Sequence, residues 1–321
     1  MSTSSNKLAE LLVAQTYLYR FAGSVLIVIG TLGCILNLII FTKKLLRKNP
    51  CSIYLISYNL SNFVYIYVSL FSSTLEVGYK YDPSAKNWNL CRLRLYITVL
   101  FNILSPYYLI LASIDRVLVT SSNANTRRRS TLRLSYLSVI IGTIFWILFH
   151  IHAIISANIT QYSPTIAFCY FQSGIPLTFV GYYAVIKEIL VLSLMIIFGL
   201  WAIKNIRSLK RVRVAPDSSA SKTIVDNNDI RSTSSKNRQL ALILIMDIII
   251  YTPFSFLFAS FLMYQQITIK YVVTLEQAQI QSCLTNIFLF LAGIPFYINC
   301  YTNLIISKPF RSEMKKIILC K

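Results

Sequence analysis

Residues 91–117 read CRLRLYITVLFNILSPYYLILASIDRV. Leu95–Ile114 carries no charged side chain, and the step from Cys91 to Arg116 is 25 residues. As a helix that step covers roughly 37 Å, whereas the hydrocarbon core of a bilayer is about 30 Å thick. The cysteine and the Asp115–Arg116 pair are therefore expected at opposite faces of a membrane. One rod would carry a thiol fit for oxidation at one end and a fixed charge pair at the other.

Similar stretches recur at Phe21–Phe41, Ser52–Leu75, Leu134–Ala157, Leu177–Ile203, Leu240–Tyr264 and Ile280–Ile306, with Lys187–Glu188 and Asp247 as intruding charges. Each is long enough to cross a bilayer as a helix. The count is seven, which predicts an all-α membrane protein. The chain is 55% hydrophobic and only 13% charged, a balance that cannot face water everywhere. The loops after the first, third, fifth and seventh stretches hold 22 Lys and Arg, against seven on the other side. By the positive-inside rule the amino terminus lies outside and the carboxyl terminus inside. Most of the net charge of +20 then sits beside anionic inner-leaflet lipid, and nucleic acid is not an expected partner. The first 20 residues lack a basic region, apolar core and cleavage site, so the first span is expected to act as an uncleaved anchor. Residues 1–20 are read as an extracellular N-terminus, 21–307 as the seven-span domain, and 308–321 as a surface helix and tail.

Outside the spans, Lys204–Arg238 is rich in Ser, Asn and basic residues and reads as a mobile cytoplasmic loop. Its Ser and Thr residues, from Ser218 to Ser235, are either phosphorylation sites or parts of a plain solvated linker. In Lys308–Leu319, Phe310, Met314, Ile317 and Ile318 fall at i, i+4, i+7 and i+8, with Arg311, Lys315 and Lys316 on other faces. That pattern describes an amphipathic helix on the membrane surface. Cys320 at its end is a palmitoylation candidate or a spare thiol. Of seven cysteines, only Cys91 and Cys169 fall on the oxidising side, and a bridge between them is expected. Asn158-Ile159-Thr160 fits the glycosylation pattern on that side, close to the membrane.

Over nearly its whole length the chain resembles the rhodopsin-like (class A) G-protein-coupled receptors. The residues that carry the resemblance are Cys91, Ala112-Ser113-Ile114-Asp115-Arg116-Val117, Trp146, Cys169, Pro253 and Lys308-Pro309-Phe310-Arg311. A narrower resemblance, to invertebrate orphan receptors related to FMRFamide-type neuropeptide receptors, rests on three stretches. These are Asn49–Leu55, Asn89–Arg94 and Ile196–Leu200. Departures are plain as well. Val117 replaces the family's Tyr, Asn62 stands where the second span normally has an Asp, and counting back from it puts Cys34 at the first-span Asn position, with Asn37 nearby. Tyr251-Thr252-Pro253 replaces Trp-x-Pro, Asn299–Asn303 replaces Asn-Pro-x-x-Tyr, and span five lacks Pro. The family's sodium site and seventh-helix rearrangement thus lose their usual residues.

The resemblance implies a receptor in which an outer ligand lets helix six swing outward, so that Arg116 leaves Asp115 and meets a heterotrimeric G protein. An arrestin and a receptor kinase are further implied partners. Without that frame the pair is a membrane-boundary anchor. Pro253 removes a backbone donor and so permits a hinge in helix six, with Tyr251 beside it as a transmission residue. A carboxylate at the depth of Asp247 costs about 2.5–3.5 kcal/mol. It is expected either to join a polar network with some of Asn62, Asn102, Ser105 and Asn299, near Asn303, or to be satisfied by one neighbour.

Above the network, Arg94, Thr98 and Glu188 are candidate pocket residues. Arg92 and Arg94 either receive an acidic ligand group or snorkel to headgroups. Thr98, 18 residues before Arg116, occupies the amine-receptor Asp position, which argues against a biogenic amine. No Lys lies between Lys270 and Lys308, so no Schiff base to retinal forms in span seven. The mixed outer charges (Glu76, Asp82, Glu276, Lys80, Lys86, Lys270) and many Tyr suit a short peptide. No cofactor or metal is expected. An enzyme is disfavoured: His150 and His152, the two histidines, are two apart and expected on different helix faces. The alternative class is a transporter or channel, against which stand nine Gly and no internal repeat.

Overall fold

The computed structural model describes residues 2–43, 47, 49–121, 123–163, 166–172, 174–214, 224–268, 275–306, 310–312 and 314–315. Most of these are helical. The first helix, α1, runs over Ser2–Tyr17, passes a π-helical turn at Leu18–Gly23 and continues over Ser24–Thr42. α2 starts at Pro50–Tyr65 and continues through π turns at Ile66–Phe71 and Thr74–Gly78. α3 is Trp88–Val119. α4 is Leu132–Phe149, broken at His150 and resumed as Ile151–Ser156. α5 is Ile175–Val214, α6 Ile224–Thr268 and α7 Leu275–Ile306. A short helical turn, Ala124–Arg128, separates α3 from α4.

Among the described residues, six helical segments are long and apolar enough to cross a membrane: Leu8–Thr42, Trp88–Val119, Leu132–Ser156, Ile175–Asn205, Leu242–Thr268 and Gln279–Asn299. The chain thus has the build of a multi-pass, all-α membrane protein. α2 differs because its regular part is only 16 residues long, short of the roughly 20 that hydrocarbon demands.

Local chemistry sets the helix starts. Asn49 caps α2 by accepting the Cys51 N–H at 3.0 Å, with Pro50 at the first helical position. Asn87 caps α3 through the N–H groups of Asn89 (3.0 Å) and Leu90 (3.2 Å). Thr131 caps α4 through Leu134 N–H at 3.2 Å. Pro106, Pro253 and Pro295 lie inside α3, α6 and α7, where each deletes a backbone donor.

Apolar residues cover the outside, and the core combines buried apolar side chains such as Ile40, Leu55, Ile66 and Leu109 with polar ones. α4 exposes Leu137, Ile140, Ile141, Ile144, Phe145 and Leu148, a surface suited to lipid tails. Fully buried positions include Asn37, Asn59, Asn62 and Ser105. In lipid the hydrophobic effect does not draw helices together, so close packing and interhelical hydrogen bonds must do so.

Two expectations change. Residues 2–20 are not a separate N-terminal segment; they extend α1 and dock on α7, with Tyr19 donating to the Asn286 carbonyl at 2.7 Å. The expected loop Lys204–Arg238 is largely helix: α5 runs to Val214 and α6 begins at Ile224. The Lys, Arg and Leu of 204–214 are good helix formers, whereas the Asn, Asp, Ser and Thr of 224–238 are not, and propensity does not account for that part. Ser218, Ser219, Ser221 and Thr223 lie outside the described residues. The loop after span four is a hairpin, β1 (Ala157–Ser163) antiparallel to β2 (Ile166–Phe171), built from β-branched and aromatic residues. At the carboxyl end, Phe310 packs on Phe41 with ring centroids 5.9 Å apart. Arg311 donates to the carbonyls of Leu304 (3.0 Å) and Ile305 (2.5 Å). Most of the expected surface helix, and Cys320, lie outside the described residues.

The π turns of α1 and α2 touch. A Cβ at Gly78 would stand 3.0 Å from the Arg20 backbone nitrogen, and Arg20 Nε donates to the Gly78 carbonyl at 3.0 Å. Gly78→Val should therefore cost about 1–3 kcal/mol, seen as a lower unfolding temperature in detergent. An unchanged temperature would contradict this close approach.

Candidate functional site

α3 carries polar groups at three depths. At the outer end Cys91 is bonded to Cys169, with Cα atoms 5.5 Å apart. The expected bridge ties β2 to the first turn of α3. Asn158 stands on β1 opposite Tyr170, half-buried. One turn further in, Arg94 donates to Glu76 (2.6 Å), Asp82 (3.3 Å) and Ser84 (2.8 Å). Its charge is met within the chain and holds the end of α2 to α3. Arg92 lies over the Trp88 ring, 4.6 Å from the centroid, a cation–π contact. Thr98 is half-buried on α3.

The middle depth holds an ion pair within the predicted membrane layer. Lys187 and Glu188 of α5 are 7% and 3% exposed. Lys187 Nζ lies 2.5 Å from Glu188 Oε1 and also donates to Asn102 Oδ1. Glu188 Oε2 accepts from Ser255 Oγ at 2.5 Å and Tyr251 at 3.5 Å. Asn102 Nδ2 in turn donates to the Tyr65 hydroxyl at 3.3 Å. One chain of hydrogen bonds thereby joins α5, α3, α2 and α6. A small cavity opens beside it, lined by Asn102, Glu188, Tyr251, Ser255, Ala292 and Phe296. Of the three pocket candidates read from sequence, Glu188 lines this cavity. Lys187 was visible as a charge within span five but had no assigned role.

The buried network divides into separate pieces. Asn62 accepts from Ser105, and Asn102 belongs to the ion pair. Asn299 and Asn303 join Asn37 and Asn59: Asn37 Nδ2 donates to Asn59 Oδ1 at 2.6 Å, Asn303 Nδ2 to Asn37 Oδ1 at 3.2 Å, and Asn299 Nδ2 to Asn59 Oδ1 at 3.5 Å. Asn59, one turn before Asn62, is thus the second-helix residue that meets α1 and α7. Asn37, rather than Cys34, is its α1 partner. Asp247 also departs from the network expected for it. Its Oδ1 accepts from Thr302 Oγ1 at 3.1 Å, and Asn62, Asn102 and Ser105 are paired with other groups. Thr302 is its one hydrogen-bonding neighbour, and Asp247 Oδ2 is buried without a partner among the described residues, so one neighbour does not satisfy the whole group. Thr302 also donates to the Asn299 carbonyl at 2.6 Å. Pro253 lies on α6 between Asp247 and Ser255.

At the inner end Asp115 and Arg116 are 3% and 1% exposed. Arg116 Nη2 lies 2.5 Å from Asp115 Oδ2 and donates to Asn49 Oδ1 at 3.0 Å. Asn49 is the cap of α2, so one side-chain oxygen receives both a backbone N–H and the guanidinium. Asp115 Oδ1 accepts from Ser130 Oγ at 2.5 Å. The pair is therefore held from two sides, by the loop before α2 and by the loop before α4. Asn49 entered the sequence reading only as the first residue of a resembling stretch, without this role, and Ser130 did not stand out, because capping and loop residues of these types are common.

His150 and His152 do not point to different faces. The break in α4 at His150 brings their ring centroids to 5.7 Å, and His150 Nε2 lies 2.9 Å from the Tyr183 hydroxyl. This cluster fastens α4 to α5.

No family model matches the chain, and no curated protein is similar to it.

Replacing Lys187 alone leaves the Glu188 carboxylate buried without its cation, a situation that costs about 3–5 kcal/mol. Lys187→Met should destabilise the chain by that order, whereas Lys187→Met with Glu188→Gln should lose less than half as much. Thermal unfolding in nanodiscs reads both; equal losses would mean that the two charges are not coupled.

Proposed function

We propose that the chain is a seven-span receptor of the rhodopsin-like class, in the plasma membrane, with its amino terminus outside. It binds an extracellular ligand, a short peptide, and activates a heterotrimeric G protein. The seventh crossing is α2, whose helical run from Pro50 to Gly78 is long enough once its π turns are counted. The orientation rests on the cation asymmetry of the loops.

The observation that carries this reading is the build of α3: a disulfide anchors its outer end, and a buried acid–base pair held by two loops occupies its inner end. Arginine stays charged at any physiological pH. Burying it at the membrane boundary is costly unless partners surround it, so the arrangement stores a group that becomes useful when uncovered. Between the two ends, the cavity touches α3, α5, α6 and α7 through Asn102, Glu188, Ser255, Tyr251 and Phe296. A ligand that competes for Glu188 loosens its bonds to Ser255 and Tyr251. α6 then pivots at Pro253, where a backbone bond is already missing, and Asp247 parts from Thr302. Movement of α6 frees the inner end, and Arg116 turns from Asp115 and Asn49 toward the G protein. A ligand drives this only in so far as it prefers the open state.

Asp115→Asn removes the charge that holds Arg116. Each 1.4 kcal/mol lost shifts the closed–open balance about tenfold, so ligand-independent G-protein activation should rise several-fold in cells carrying promiscuous G proteins. Arg116→Ala should abolish both basal and ligand-driven output in the same cells, with a peptide library as the ligand source. Unaltered basal output in Asp115→Asn, at equal surface expression, would reduce the pair to a structural anchor.

A further inference from the structure

The loop that holds Asp115 carries a feature that the receptor reading does not use. Ser130 follows Arg127-Arg128-Arg129 directly. All three arginines are exposed, and Ser130 is half-buried with its hydroxyl on Asp115 Oδ1 at 2.5 Å. The preceding helical turn, Ala124–Arg128, is five residues long and buries none of them. So short a helix has almost no stability of its own. Thr131, just after Ser130, is already extended, with φ −130° and ψ 152°. The segment therefore opens into an extended peptide at small cost, with two arginines two and three residues before a serine.

We infer that Ser130 is a phosphorylation site for a serine/threonine kinase whose peptide groove carries carboxylates, and that its phosphate unlocks Asp115–Arg116. In the transfer, Ser130 Oγ attacks the γ-phosphorus of ATP. An O–P bond forms, the bridging P–O bond breaks, ADP leaves with the electron pair, and the hydroxyl proton passes to the kinase's base. The product alters the contact in two ways. The hydroxyl that donated to Asp115 is gone, and a group of charge about −1.5 to −2 stands beside the carboxylate. Like charges at that distance repel, and the phosphate competes for the guanidinium that Asp115 holds. The loop withdraws from the inner end of α3. Asp115 is the acidic group that touches both Ser130 and Arg116, so the new charge acts on the pair directly.

Cys51 reports the change. It is fully buried, and its backbone N–H is held by the same Asn49 oxygen that receives Arg116. The inference shares its cytoplasmic placement of this loop with the proposed function, but its test needs no signalling. The full chain in nanodiscs, where both faces are open, is incubated with Mg-ATP and the catalytic subunit of an arginine-directed kinase. Mass spectrometry then locates phosphate and measures the rate of Cys51 alkylation by a maleimide. Phosphate is expected on Ser130, lost in Ser130→Ala and reduced at least about tenfold in Arg127→Gln/Arg128→Gln, while Cys51 alkylation rises at least about tenfold on phosphorylation. Ser130→Glu should accelerate alkylation in the same direction without kinase. Phosphate only on Thr131, no incorporation, or full incorporation at Ser130 with Cys51 still protected would each overturn it. A failed G-protein assay alongside a positive result here would count against the receptor reading alone.

Discussion

A guanidinium cannot shed its proton to escape burial, and Arg116 is almost completely enclosed. Everything at the inner end of the bundle is arranged around that constraint. Asp115 supplies the opposite charge, Asn49 a neutral acceptor, and Ser130 fixes the second carboxylate oxygen. Each support comes from a different loop or helix end, so the loops before α2 and α4 are held to α3 by the need to satisfy one ion. Removing Asp115 leaves the guanidinium buried without its counter-charge, which in a low-dielectric setting costs far more than at a surface, whereas losing Asn49 or Ser130 costs a single hydrogen bond to a charged group. In the proposed receptor the same property makes the pair a store of free energy for a helix movement to release.

The middle of the bundle answers a related problem with different chemistry. Lipid tails are as apolar as leucine, so apolar contacts alone do not choose which helix faces meet. Asparagines choose them here. Asn37, Asn59, Asn299 and Asn303 join α1, α2 and α7: Asn37 and Asn299 both donate and accept within the cluster, Asn59 accepts from two of its members, and Asn303 donates to two. Lys187 and Glu188 perform the same task for α5 with α3 and α6, at the expense of burying two charges. That difference in cost is why the amide cluster reads as a fastening and the ion pair as a site: charges within a membrane persist mainly where they act.

Much of this was legible in the sequence, and the limits have physical causes. Charge-free runs of about 20 residues announce helices because a helix satisfies its own backbone in lipid, while a barrel strand would be about half as long; the bridge was expected from the side to which the loop cations assign the two cysteines. Glu188, Asp115 and Arg116 stood out as charges where charge is costly. Asn59 did not, since it shares a helix with Asn62 one turn away and spacing alone does not say which of the two faces α1. The histidines misled for the opposite reason: a continuous helix would separate them, and the break in α4 after Phe149 carries neither Pro nor Gly to announce it. The extension of α5 was hidden because Lys and Arg, good helix formers, read equally well as loop; that of α6 runs through Asn, Asp, Ser and Thr, whose low helix propensity pointed to loop.

Function depends on direction. The scheme requires the bridged end of α3 to face outside and Arg116 to face the cell interior, and the loop cations argue for that polarity without measuring it. Epitopes fused before Met1 and after Lys321, stained in intact and then permeabilised cells, test it directly. The amino-terminal epitope should stain in intact cells and the carboxyl-terminal one only after permeabilisation. Staining of both or neither terminus before permeabilisation, or the reverse order, would contradict the account.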